Sequence, residues 1–146
     1  MTTTCIYCGN AFTPIKATTI MCAGCWFGGR HHEAQHPDLL YALRSVPGVD
    51  SATIDHTGGG CFGLAIRLTD KRFFFATLAY KDDGGEWSCD VGVPDAGEPW
   101  GLGIYTSEDG EEDGGFYSGQ GTEPIRCPLT DAELIAAVRT LVAFGV

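Results

Sequence analysis

The sequence predicts an α+β fold with a small cysteine-rich module at its front, on the strength of three observations. Four cysteines crowd the first twenty-five residues as two Cys-x-x-Cys pairs, Cys5/Cys8 and Cys22/Cys25. From Val49 to Ile104 apolar residues alternate with polar ones or glycine between Gly- and Asp-rich turns, the period of strands. On both sides of that region apolar residues recur at intervals of three and four, the period of helices.

The cysteine pairs come first. Thirteen residues separate them, a spacing that lets two tight turns bring four thiolates to the corners of a tetrahedron, as a structural zinc site requires. Four sulfur ligands close the shell and leave no position for a substrate. Zinc is preferred to disulfides or an iron–sulfur cluster, because seven cysteines is an odd number and a reducing compartment favours metal for closely spaced pairs. The residues that carry this pattern are similar to zinc-ribbon and treble-clef modules. The resemblance covers about twenty-five residues and defines a module over 1–30. Residues 11–21, broken by Pro14, are long enough for a short hairpin between the two pairs. Trp26 and Phe27 follow the second pair at once, and the reading adopted is that they dock the module on the rest of the chain. His31, His32 and His36 read as surface or linker residues, since four cysteines already suffice for the metal.

The body spans 37–146. Pro37 suits the first position of a helix, and Leu39, Leu40, Leu43 and Val46 carry its apolar stripe until Pro47 and Gly48 end it. Period two then sets in over residues 49–57. Strands follow at 62–68, at 72–80 (apolar on both faces, hence central), at 87–93 and at 100–104, which makes an antiparallel meander of about five strands. Gly101 and Gly103 leave one face of the last strand bare, predicting close approach of the C-terminal helix or another strand. That helix is the best marked: Thr130 and Glu133 form a capping box, Leu129 and Leu134 stand at staple positions, and Leu134, Ile135, Val138, Leu141 and Val142 form one stripe.

Charge bounds the partners. The chain of 146 residues carries −10, yet residues 1–48 hold Lys16, Arg30 and Arg44 against Glu33 and Asp38, a net +1 that leaves −11 for the remainder. A field of that sign repels phosphate backbones and disfavours general nucleic-acid binding by the body. Nucleic-acid contact by the ribbon alone, through Lys16, Arg30 and the nearby histidines, stands as one alternative. Five carboxylates, Glu108, Asp109, Glu111, Glu112 and Asp113, fall within six positions. They suit a solvated loop or a basic protein surface, whereas no EF-hand spacing supports a calcium site. The first residues show neither a basic segment nor an apolar run, and no stretch is apolar enough to span a membrane, so a cytoplasmic protein is expected.

A catalytic reading rests on Asp55, His56 and Cys61 around the Gly58-Gly59-Gly60 turn, whose amides suit an oxyanion hole for a small Cys/His hydrolase. Asp55 and His56 are neighbours in a strand and should point to opposite faces, which spoils the simplest relay. The run from His56 to Ile66, with Gly101-Leu-Gly-Ile-Tyr105 and the acidic Gly-rich loop downstream, resembles small uncharacterised proteins of actinobacterial tailed phages. That resemblance covers roughly residues 50–118. It implies a phage accessory product in a bacterial host cytoplasm, with no assigned activity and no catalytic residues to carry over. The reading that results is a non-enzymatic zinc protein whose acidic body binds a basic surface on a host protein, a nucleic-acid-handling or defence factor being the candidate target.

Overall fold

Apolar residues spaced two apart on five strands and three or four apart on two helices must share one interior, and the structure shows how. It is a computed structural model that describes residues 1–58, 61–81, 83–85, 87–89, 92–105 and 126–144. The elements in order are β1 (Thr3–Thr4), β2 (Ala11–Phe12), α1 (Ala23–Phe27), α2 (Arg30–Glu33), α3 (Pro37–Arg44), β3 (Val49–Gly58), β4 (Cys61–Leu68), β5 (Phe73–Lys81), β6 (Trp87–Cys89), β7 (Trp100–Tyr105), β8 (Arg126–Leu129) and α4 (Asp131–Phe144). The fold is α+β, with a main antiparallel sheet in the order β3-β4-β5-β7-β8.

The register places one apolar set inward. Ala52 faces Ile66, Ile54 faces Leu64, Ile66 faces Phe74 and Ala76 faces Leu102 across successive ladders. These side chains join Leu39, Leu40 and Leu43 of α3 and Leu134, Val138 and Leu141 of α4 in one buried cluster, so both helices cover the same face. The opposite face carries Ala65 and Phe73, fully buried, with Phe75 packed against them. β5 is central, as its two-sided apolar pattern implies: it bonds β4 on one side and β7 on the other.

The meander needs correcting at its fourth strand. Among the described residues of 87–93, the strand is the short β6, which pairs with the far end of β5 through Ala79, Tyr80 and Lys81. Beyond it the Gly92 carbonyl still accepts from the Leu78 amide at 2.6 Å. Pro94, with no N–H to donate, cannot continue a ladder. Trp100–Tyr105 takes the place beside β5, and among the described residues the sheet ends on β8, a strand the sequence pattern does not mark because it is only four residues long and contains Pro128.

Three details define α4 and tie it to the sheet. Thr130 and Glu133 exchange the two bonds of the capping box at 3.1 Å each. Trp100, fully buried, donates from Nε1 to Asp131 in the first turn of α4 at 2.9 Å. At the other end of α4, Arg72 donates to the carbonyls of Leu141 and Val142, two acceptors that lie in the last turn of the helix.

Of the two approaches predicted for the bare strip on β7, the C-terminal helix or another strand, the helix is not the one that meets it. Gly101 and Gly103 pair with Thr77 and Phe75, on the face away from α4. On the same face, the Phe75 ring lies across Gly63 of β4, where an added Cβ would fall 2.0 Å from Phe75 Cζ. On β4, aromatic bulk from the central strand fills the space that Gly63 leaves open.

Candidate metal centre and its junction with the sheet

The site begins with a hairpin that straddles the first cysteine pair. β1 and β2 pair as Thr3 with Phe12 and Thr4 with Ala11, so the two short strands flank Cys5 and Cys8 instead of lying between the pairs. Inside that hairpin the Cys5 amide donates to the Asn10 carbonyl and the Gly9 amide to the Cys5 carbonyl, both at 2.9 Å. The second pair sits at a helix start: Cys22 is the N-cap of α1 and Cys25 lies in its first turn. A bond from the Ile6 amide to the Ile20 carbonyl at 3.0 Å holds the two halves together.

All four Sγ atoms lie within 4.8 Å of one another. Cys8 and Cys22 approach to 3.7 Å, close to the edge of about 3.8 Å that a tetrahedron of sulfurs around zinc at about 2.3 Å would have. Cys5 and Cys25 are buried, Cys22 is half-buried and Cys8 is exposed. The thiols resist sharing one charge state. Burial would raise the Cys5 thiol, but backbone amides of Cys22, Cys8 and Tyr7 and the Cys8 thiol outweigh it and bring it down to about 6. Burial, with the neighbouring Cys22, Cys8 and Cys5 sulfurs, pushes Cys25 up to about 12. Like charges this close are accommodated by a cation, and the donor set of four soft sulfurs fits a metal ion.

α1 turns directly from the second cysteine pair into the sheet. Trp26 packs against the main core and meets Phe62 of β4 edge-on, with ring centroids 5.2 Å apart. It also stacks on His31 at 6.2 Å and 10°. His31, His32 and His56 all contact the Phe62 ring, at 5.2, 4.7 and 5.2 Å. The docking read from Trp26 and Phe27 is thus made by Trp26, while Phe27 touches His56 but stays 55% exposed. The return of the chain depends on Gly29, whose φ is +68° and where an added Cβ would fall 2.7 Å from the Ile54 carbonyl oxygen. Arg44 donates to the neighbouring Ala52 carbonyl at 3.0 Å. Together these contacts cover the outer edge of β3, which among the described residues bonds only β4.

The histidines differ from their reading as surface or linker residues. His36 is 3% exposed, donates from Nε2 to the Pro94 carbonyl at 2.7 Å and packs on Trp100 at 5.2 Å. His31 and His32 lie on or beside the short α2, and their Nδ1 atoms are buried without a hydrogen-bond partner. Burial holds both imidazoles below the usual histidine range; at His32 the nearby His31 and His36 add to this and Asp95 opposes it. The legible signal for this cluster was Gly28-Gly29 followed by Arg30-His31-His32, a turn that folds the histidines back over Trp26.

The catalytic constellation is not assembled as a relay. Asp55 accepts from Arg67 at 2.8 Å and from Thr53 at 2.8 Å on the face away from the helices. His56 lies on the other face, among Trp26, Phe27 and Phe62. Cys61 opens β4 opposite Gly58 in the ladder, and its side chain falls outside the description. Glu108, Asp109, Glu111, Glu112 and Asp113 also lie outside the described residues. Among the described residues no helix is long and apolar enough to cross a membrane. No protein-family model, no curated protein and no solved structure matches the chain.

Proposed function

We propose that one zinc ion is held by Cys5, Cys8, Cys22 and Cys25 as a structural element, and that the protein is a non-enzymatic binder whose acidic body takes a basic surface of a protein partner. The observation that carries this reading is the four-sulfur set itself: with every sulfur within 4.8 Å of the others, the ion's four positions are all filled by protein, which suits stiffening and not substrate activation. The knuckle-plus-helix placement of the ligands favours the treble-clef side of the resemblance over the ribbon side. What remains as a function-bearing property is charge, −10 on the whole chain and five carboxylates within residues 108–113, which attract a basic surface and speed its encounter. The resemblance to small phage proteins makes a host protein in the bacterial cytoplasm the partner of choice.

The test replaces Glu108, Asp109, Glu111, Glu112 and Asp113 together by their amides and measures association with a defined basic protein probe at two ionic strengths. Slower association and a flatter salt dependence are expected, with folding and metal content unchanged. Unchanged association, or loss of a biological effect on Cys61→Ala alone, would overturn the reading in favour of thiol chemistry at the Gly-rich turn.

A further inference from the structure

The four sulfurs of the cysteine cluster are unequally shielded. Cys5 and Cys25 are 1% and 7% exposed, whereas Cys22 is half-buried and Cys8 stands in solvent. Dissolved oxidants reach exposed thiolates and spare buried sulfurs, so the cluster offers them one entry point, Cys8. A metal ion held by the four sulfurs keeps that entry point in its reactive charge state, because a coordinating thiol is deprotonated outright. Cys5 is guarded a second time. The Tyr7 amide points at its sulfur at 3.4 Å, and a hydrogen bond to the charged form lowers both the pKa of a thiol and the nucleophilicity of its thiolate.

The sulfur that receives an oxidised Cys8 is fixed as well. Cys22 Sγ lies 3.7 Å from Cys8 Sγ, and the Ile6 amide donates to the Ile20 carbonyl at 3.0 Å. Ile6 and Ile20 each stand two residues before one of these two cysteines, so a backbone bond holds Cys8 beside Cys22 without help from an ion. Closing the gap to a disulfide of about 2.0 Å takes rotation of an exposed side chain and a small shift of its turn. Cys25, by contrast, lies buried in the first turn of α1.

We infer that Cys8 is an oxidative modification site: its sulfur is attacked by a peroxide and then captured by Cys22, so that the metal is exchanged for a cross-link between the two halves of the module. The Cys8 thiolate attacks one oxygen of hydrogen peroxide and the O–O bond breaks, leaving a sulfenic acid on Cys8 and a hydroxide that takes up a proton. The Cys22 thiolate then attacks the Cys8 sulfur, which forms the S–S bond and expels the sulfenic oxygen as a second hydroxide. Two thiolates, one peroxide and two protons thus give one disulfide and two waters, the sulfurs losing two electrons and the peroxide gaining them. Cys5 and Cys25 alone supply half of a four-sulfur shell, and the ion leaves. The inference rests on the reading of the four sulfurs as a zinc centre and adds a chemical response to its structural role.

The test measures the metal content of the full chain as purified, adds hydrogen peroxide in steps, and follows zinc release with a chromogenic chelator against a blank without peroxide. Remaining thiols are then blocked with iodoacetamide and the protein is digested with trypsin. Lys16 lies between the two cysteine pairs and Arg30 follows the second, so a Cys8–Cys22 link joins peptides 1–16 and 17–30, while a link inside either pair leaves them separate. Fragmentation should place the link at Cys8 and Cys22 with Cys5 and Cys25 alkylated, one link for each zinc released, and dithiothreitol with added zinc should restore the loaded protein. A chain that holds no metal before oxidation overturns the zinc reading and the inference with it. Metal that is bound and then released with links inside the pairs, or with Cys8 carried unlinked to the sulfinic acid, overturns the inference alone. Metal retained at peroxide levels that oxidise a free cysteine peptide does the same.

Discussion

Trp26 stands edge-on to Phe62, ring centroids 5.2 Å apart and planes at 78°, and this contact joins the residue after Cys25 to the second strand of the main sheet. Trp26 follows Cys25 of the four-sulfur cluster directly in the chain and packs on the main core, so the cluster and the sheet are parts of one structure. Trp26→Ala removes the ring and uncovers Phe62. A loss of about 2–4 kcal/mol is expected from a partly buried tryptophan, read as a lower midpoint in urea with the metal still bound. A variant as stable as the parent would show that the module merely rests on the body.

The histidines beside that contact make stability depend on pH. Burial lowers the pKa of both His31 and His32 from the ordinary 6.5. The unfolded chain therefore takes up protons first as pH falls. The contribution of the two groups is fully present above about 6.5 and is lost as pH drops through their lowered folded values. The thermal midpoint should fall on acidification below pH 6.5, and His32→Gln should flatten that slope. An unchanged slope in His31→Phe and His32→Gln alike would remove these residues from the account.

Metal occupancy should follow the thiols. One equivalent per chain is expected in protein purified without added metal, and Cys22→Ser should lose it, because three sulfurs leave a position open to water and chelator. Since metal binding displaces thiol protons, occupancy should be full at neutral pH and fall as acid returns protons to the sulfurs. Release measured with a chromogenic chelator across pH decides the point.

Gly63 has a partner that explains it. The Phe75 ring occupies the space a Cβ would take, so Gly63→Ala should cost about 1–3 kcal/mol through forced movement of an aromatic ring in the sheet. Adding Phe75→Leu should recover part of that loss, since a smaller side chain withdraws from the clash. Additive losses in the double variant would argue against direct contact.

Arg72 gathers the end of α4 and the β4–β5 turn. It donates to Asp70 at 2.8 Å and to the carbonyls of Leu141 and Val142. Backbone and side-chain bonds from Arg72 hold the Asp70 carboxyl below the usual range. Arg72→Met should cost about 1 kcal/mol and raise amide exchange in the last turn of α4. Asp70→Asn, at a mostly exposed position, should cost less than about 1 kcal/mol.

Sequence alone determined the features that depend on neighbours in the chain. Each pair of cysteines was legible because a Cys-x-x-Cys is a single turn that presents two thiols together. The capping box and stripe of α4 were legible because a helix satisfies its own backbone within a few residues. The apolar alternation of β4 and β5 was legible because pleating makes the period two. Tertiary structure decided what depends on partners far along the chain. Phe75 fills the space at Gly63 from another strand, His36 is buried because Pro94 and Trp100 receive it, and β8 becomes a strand only because β7 offers an edge to a segment too short to announce itself. Side chains that meet across dozens of residues leave no local period to read, since their contact is set by the register of the sheet and not by their own sequence.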